Sequence, residues 1–236
     1  MAICKNCGKP LILNGGKCVY CGASEKQTPR NNIQRVGNDI TVRAVDLGLP
    51  SGTKWATCNL GAKNPWEYGC YCAWGEIEEK NIYNRESYKW GAWSPYWKYC
   101  NDAFCNVVDN KWVLEPEDDV AHIKWGGGWH MPTLEEYNEL LSNCYSEWSM
   151  MNNVRGLKLV SKHNGKSVFF PAAGLRMDSS LINKDCGYYK SASLYEKNSD
   201  SAYVFLFVPE RNYQPSEIRI NPNLRELGQS IRPVLS

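Results

Sequence analysis

Features that would announce a membrane protein or a familiar catalyst are scarce in this 236-residue chain. No apolar run approaches the ~20 residues that cross a bilayer, so membrane insertion is not expected. Histidine occurs three times, at His122, His130 and His163. No Gly-x-Ser-x-Gly, Walker A, dinucleotide fingerprint or His-Glu-x-x-His pattern is present, and a non-enzyme is expected. Gln214-Pro215-Ser216 and Asn221-Pro222-Asn223 offer only neutral oxygens, whereas calcium takes several carboxylates, so no calcium is expected. Charge of one sign is also lacking: the net is +2, from 27 bases and 25 acids. Six of the bases (Lys5, Lys9, Lys17, Lys26, Arg30, Arg35) and two of the acids (Glu25, Asp39) fall in the first 39 residues. The remainder is slightly acidic and is not an expected partner of nucleic acid. The start Met1-Ala2-Ile3-Cys4 carries no apolar signal segment. A cytoplasmic location is therefore expected, with a particle-associated or released form left open.

Cysteine and large aromatics are present in quantity: 11 Cys, 10 Trp, 14 Tyr and 5 Phe. Four cysteines form two knuckles, Cys4-x-x-Cys7 and Cys18-x-x-Cys21. Each knuckle turns two thiolates toward one point, and two knuckles complete a tetrahedral Cys₄ zinc site. Gly8 and Gly22 follow the second cysteine of each, where the backbone curls back toward sulfur. Leu11-Ile12-Leu13 and Val19 can form a small hairpin around Asn14-Gly15-Gly16. Disulfide pairing is the competing use of these thiols, and a reducing cytoplasm favours the metal. Four thiolates leave no open position for substrate, so such a zinc would be structural. It would supply about 10 kcal/mol to a module too small for its own core. The pattern resembles a zinc ribbon over 1–24, followed by a polar linker over 25–39. Cys58, Cys70, Cys72, Cys100, Cys105, Cys144 and Cys186 share no ligand spacing and are expected as buried free thiols.

From Ile40 the texture changes to short strands and tight turns. Thr41–Val45 alternates as a strand, and Leu47–Gly52 turns into Lys54–Thr57. Gly156–Ser161 and Ser167–Phe170 flank Asn164-Gly165, a hairpin signal. Ser201–Val208 alternates Ala202, Val204, Leu206 and Val208 against Tyr203, Phe205 and Phe207, and Gln229–Leu235 reads as a last strand. Thr133-Leu134-Glu135-Glu136 is a capping box that opens a helix with Leu134, Tyr137, Leu140 and Leu141 on one face. A weaker helix is expected through Asp118–His122.

Five segments in order carry a resemblance. They are Val45-Asp46-Leu47-Gly48-Leu49-Pro50-Ser51-Gly52-Thr53-Lys54-Trp55-Ala56, Tyr71-x-Ala73-Trp74-Gly75-Glu76, Trp129-His130-Met131-Pro132-Thr133, Phe170-Pro171-Ala172-Ala173-Gly174 and Gly228-Gln229-Ser230-Ile231-Arg232-Pro233-Val234. Residues 40–236 thereby resemble the Fibrobacter major paralogous domain family, which is similar to the formylglycine-generating-enzyme branch of the C-type-lectin fold. The resemblance implies an α+β domain whose first and last strands pair, with a long irregular loop region presenting a surface. The copper-binding cysteine pair of formylglycine-generating enzymes has no counterpart here. The Glu-Pro-Asn and Trp-Asn-Asp motifs of calcium-binding lectins are absent.

The ending also resembles the variable proteins of diversity-generating retroelements, which share the fold and close on Gly-x-Ser-x-Arg-Pro-Val. In those proteins adenine-directed mutagenesis of Asn codons places varied residues on a rigid platform. The resemblance implies a variable ligand-binding region over 187–228. The candidates there are Tyr188, Lys190, Leu194, Tyr195, Tyr203, Phe205, Arg211, Tyr213, Leu224 and Glu226, expected to meet a protein or glycan across irregular loops. Lys190 stands where the family carries Trp. Lys190, Glu196 and Glu226 cannot arise from an AAC codon by changing adenines, so these three are fixed or use another template codon. Core packing competes with display for Tyr203, Phe205 and Phe207. A structural or assembly subunit, and a nucleic-acid adaptor working through the basic ribbon, are the competing functional readings.

Overall fold

The described residues form a mostly β-sheet protein with few helices, an arrangement compatible with an α+β or β-rich class. The computed structural model describes residues 13–14, 17–18, 44–91, 96–101, 108–210 and 216–236. The chain divides into two units, Met1–Ile40 and Thr41–Ser236. In the first, β1 (Leu13–Asn14) and β2 (Lys17–Cys18) pair antiparallel, Leu13 facing Cys18. They flank Gly15-Gly16, as the glycine-rich spacing suggests. Cys4, Cys7, Cys21 and the linker 25–39 lie outside the described residues, and of Cys18 only the backbone is described.

The second unit begins with β3 (Ala44–Asp46) and β4 (Lys54–Ala56). Then come α1 (Val120–Trp125), β5 (Trp129–His130) and α2 (Leu134–Asn143). A meander follows in β6 (Cys144–Met151), β7 (Val154–Ser161) and β8 (Ser167–Pro171), and then the short pair β9 (Leu175–Met177) and β10 (Ser180–Ile182). The chain ends in β11 (Gly187–Leu194), β12 (Ser201–Val208), β13 (Glu217–Leu224) and β14 (Val234–Leu235). Sheet orders are β3-β4-β14-β5, β6-β7-β8, β9-β10 and β11-β12-β13. No helix among the described residues is long and apolar enough to cross a membrane.

Local chemistry explains several boundaries. Thr133 caps α2: its side chain accepts from Glu136 N, and Glu136 accepts from Thr133 N at 2.9 Å, which satisfies two otherwise orphaned donors. Asp119 caps α1 by accepting from Ala121 N and His122 N, so that helix starts after the expected position. Asn164-Gly165 does not form a tight two-residue turn. Ser161 N donates to Lys166 O, which leaves a four-residue loop, and the Asn164 amide is used to reach Asp46 O. Gly187 is required by contact, since a Cβ there would lie 1.9 Å from the Phe207 ring.

The closing Arg232-Pro233-Val234 joins distant parts of the unit. Val234 pairs with Trp55 of β4 and His130 of β5, while among the described residues β3 pairs only with β4. The last strand therefore meets the first hairpin rather than the first strand. Only Val234–Leu235 is a regular strand; Gln229 and Ser230 make isolated bridges to Cys72 and Tyr189. The buried Arg232 guanidinium donates to Asn59 Oδ1, Ala56 O and Phe169 O and lies over the Phe170 ring. Among the described residues, 57–119 carry no helix or strand, only bridges at Cys72, Tyr83 and Val113.

Two apolar cores flank the β11-β12-β13 sheet. One holds Trp55, Tyr137, Phe170, Tyr189, Phe205 and Phe207; the other holds Trp74, Tyr99, Ala192, Leu194, Ala202 and Ile231. This sandwiching corrects the expectation of irregular loops over 187–228, because the region is largely a central sheet. Trp129 is half-buried and meets Trp125 edge-on. Cys58, Cys70, Cys72 and Cys144 are free thiols, but Cys100 is disulfide-bonded, a second correction.

Candidate binding surface

Paired residues on adjacent strands share a face. On β12 and β13 one such face runs through Phe207 and Ile218, Phe205 and Ile220, Tyr203 and Pro222, then Ser201 and Leu224. At the Phe end it is roofed by α2, which packs on β11 and β13, and by rings of the first core. Phe205 touches Tyr137, Phe170, Tyr189 and Phe207 at ring separations of 5.4, 5.5, 6.4 and 5.4 Å. Beyond that roof the same face emerges as half-buried Tyr203 and as Leu224, which is 42% exposed.

Tyr195 joins them there. Its N–H donates to Ser201 O, and its ring meets Tyr203 edge-on at 5.4 Å. Tyr203 donates its hydroxyl to Glu196, and burial together with that bond raises the phenol well above its usual value while lowering Glu196. Trp112 and Val113, 42% and 44% exposed, line the outer edge of β11 through Leu194 N to Trp112 O and the Val113–Ser193 bridge. Sequence reasoning missed them. The available signal was the apolar run Trp112-Val113-Leu114 in an otherwise polar stretch.

The remaining expected site residues separate. Tyr188 sits at the opposite end of β11, half-buried, and accepts from the Asn183 amide. Lys190, Leu194, Phe205 and Glu226 are buried, so their expected display is corrected. Leu194 and Phe205 belong to the two cores, because a sheet covered on both sides buries both sets of alternating residues. Lys190 and Glu226 occupy a polar pocket of the interior. Arg211 and Tyr213 lie outside the described residues.

Next to Val113 and Ala192 opens a cleft of ≈ 120 Å³ bordered also by Leu114, Met131, His122 and His130. His130 is not a free base there. Its Nδ1 lies 3.0 Å from Gly128 O and its Nε2 3.0 Å from Glu136 Oε1, so both nitrogens face acceptors. Only the imidazolium satisfies both, and the bond to Glu136 raises the His130 pKa accordingly. Asp119, raised by burial, is consumed by three backbone N–H groups.

Glu115, Glu117 and Asp118 form an acidic cluster whose oxygens lie within 4.8 Å of one another. Lys98 bonds all three, Lys89 adds to Asp118, and Lys111 adds to Glu115, whose carboxyl is lowered to about 2 chiefly by Lys111 and then Lys98. Ammonium groups thus occupy the positions a cation would take. Comparison with protein-family models, with curated proteins and with solved structures gives no match.

Proposed function

We propose that this chain is a non-enzymatic binding protein whose second unit is a C-type-lectin-like domain of the formylglycine-generating-enzyme branch. In this reading Tyr195, Tyr203 and Leu224, edged by Trp112 and Val113, meet a protein or glycan. Arg211 and Tyr213 belong to the same variable region. The observation that carries it is the continuity of one sheet face, core at the Phe205 end and solvent-facing at the Tyr203–Leu224 end. Half-buried aromatics on a rigid sheet contribute contact area at little ordering cost, as binding hot spots do.

The likeness to variable proteins of diversity-generating retroelements is part of the proposal. Two of the three residues that adenine changes in an AAC codon cannot produce, Lys190 and Glu226, are buried, which suits invariant support beneath a changing surface. Sequencing this gene from many independent isolates tests it. Variation concentrated in the codons of Tyr195, Tyr203, Arg211, Tyr213 and Leu224 is expected; a uniform region would refute diversification. Sedimentation at high concentration separates binder from assembly subunit, since a self-mating patch would form oligomers.

The first unit is proposed to bind one structural zinc through Cys4, Cys7, Cys18 and Cys21, a four-thiolate set suited to that metal. Its described hairpin ends at Cys18. Native mass spectrometry should show one zinc per chain, lost in Cys7→Ser.

A further inference from the structure

Three polar side chains of the interior have bonding capacity that the protein does not use. Lys190 and Gln229 are 0% exposed and Glu226 is 6% exposed. Among the described residues, Glu226 Oε2 and both amide atoms of Gln229 have no hydrogen-bond partner. Lys190 Nζ, with three hydrogens to donate, has one long bond, 3.3 Å to Leu224 O.

These groups converge. Lys190 N donates to Ser230 O, and Tyr189 bridges Ser230, so β11 runs beside the segment that carries Gln229. Ser230 Oγ and the Tyr189 hydroxyl both turn toward the Tyr68 and Asn59 region, Ser230 by donating to Tyr68 O and Tyr189 by accepting from Asn59. Alternation then sends Lys190 and Gln229 to the other side. The charged and titratable groups acting on Lys190 are Glu226, which is the strongest, then Arg225, Glu76 and Cys72. Cys72 is the residue whose backbone pairs with Gln229. No direct ion pair joins Lys190 to Glu226, although Glu226 is the strongest opposite charge acting on Lys190.

We propose that Lys190, Glu226 and Gln229 enclose an ordered internal water that bridges the ammonium, the carboxylate Oε2 and the amide. A buried water takes about three hydrogen bonds from groups that would otherwise be unsatisfied, and this cluster offers at least that many. The water accepts from Lys190 Nζ and donates to Glu226 Oε2 and Gln229 Oε1. Burial lowers Lys190 to about 7. Partial hydration within the fold accounts for a cation being tolerated there at all. Arg225, clamped by Tyr99 O, Ser199 O and Lys98 O, holds the neighbouring turn in place on the other flank. The hydrated cluster therefore sits beneath the chain reversal that begins at Leu224.

Two measurements decide it. A high-resolution crystal structure of the full chain should show a solvent peak within hydrogen-bond distance of Glu226 Oε2 and of Gln229; a cluster closed by direct side-chain contacts overturns the proposal. Gln229→Leu supplies the second. If the amide is dry and unpaired, an apolar residue of similar size should leave the melting temperature unchanged or raise it, and the proposal fails. If the amide ligates water, the change strands that water's other partners, and Tm should fall by about 2–8 °C. Should Gln229→Leu not fold, Gln229→Met, which is longer and more adaptable, is melted instead and read by the same sign.

Discussion

Tyr203 and Phe205 lie two residues apart on one face of β12, yet truncating them should have very different consequences. Phe205 is fully buried among four aromatic rings, at separations between 5.4 and 6.4 Å. Phe205→Ala removes its transfer energy and leaves a cavity that rigid neighbouring rings fill poorly, a loss of about 3–5 kcal/mol. Loss of specific ring pairing pushes the value to the upper part of that range. In a unit of this size each kcal/mol moves Tm by roughly 2–4 °C, so a fall of about 8–20 °C is expected. Tyr203→Ala loses one edge-on contact with Tyr195 and one exposed bond to Glu196. Together these amount to about 1 kcal/mol, or roughly 2–4 °C. Thermal unfolding of the two variants beside the unaltered chain is the assay. Equal losses would show that the roof over the sheet extends past Phe205, and the binding-surface reading would fail with it.

Three further outcomes follow from the same geometry. The His130–Glu136 pair stabilises by having a raised imidazole and a lowered carboxylate. The imidazole part is fully present below its ordinary value of 6.5 and lost as pH rises through the raised folded value; the carboxylate part is present above 4.5 and lost as pH falls through the lowered one. Glu136→Gln, which keeps the capping box, should therefore cost about 1 kcal/mol in urea unfolding near pH 6 and distinctly less at pH 9; an equal cost at both would remove the ion pair from the account. Gly187→Ala drives a methyl into the Phe207 ring. It should lower stability by about 1–3 kcal/mol or more, and a neutral result in denaturant titration would contradict that contact. Millimolar calcium should leave Tm unchanged, because Lys98, Lys89 and Lys111 already neutralise Glu115, Glu117 and Asp118; a shift of several degrees would count against this.

Legibility in the sequence varied with the range of the interaction behind each feature. The capping box at Thr133 and the span of β12 were readable because both depend on residues within one turn or one strand. The beginning of α1 was displaced because the Asp119 carboxylate, not the Asp118 one, meets the first free N–H groups. Asp118 instead turns to Lys98, Lys89 and Tyr99, partners at least 19 residues away. β11 was read as loop because Gly187-Tyr188-Tyr189-Lys190-Ser191-Ala192-Ser193 lacks clean alternation. A register shift between Lys190 and Leu194 is the physical cause.

By itself the sequence determined which residues alternate, where the helix is capped, and that Tyr203, Phe205 and Phe207 share a face. It also placed the four cysteines of the first unit at metal-ligand spacing. Only the tertiary structure decided which part of that shared face is covered. Coverage depends on α2, on Leu157 and Leu159 of β7 and on the rings of β8 and β11, which arrive from elsewhere in the chain. For the same reason Lys190 became an interior cation instead of a displayed one: strand periodicity assigns a side chain to a face, and the second layer packed on that face decides whether it meets water.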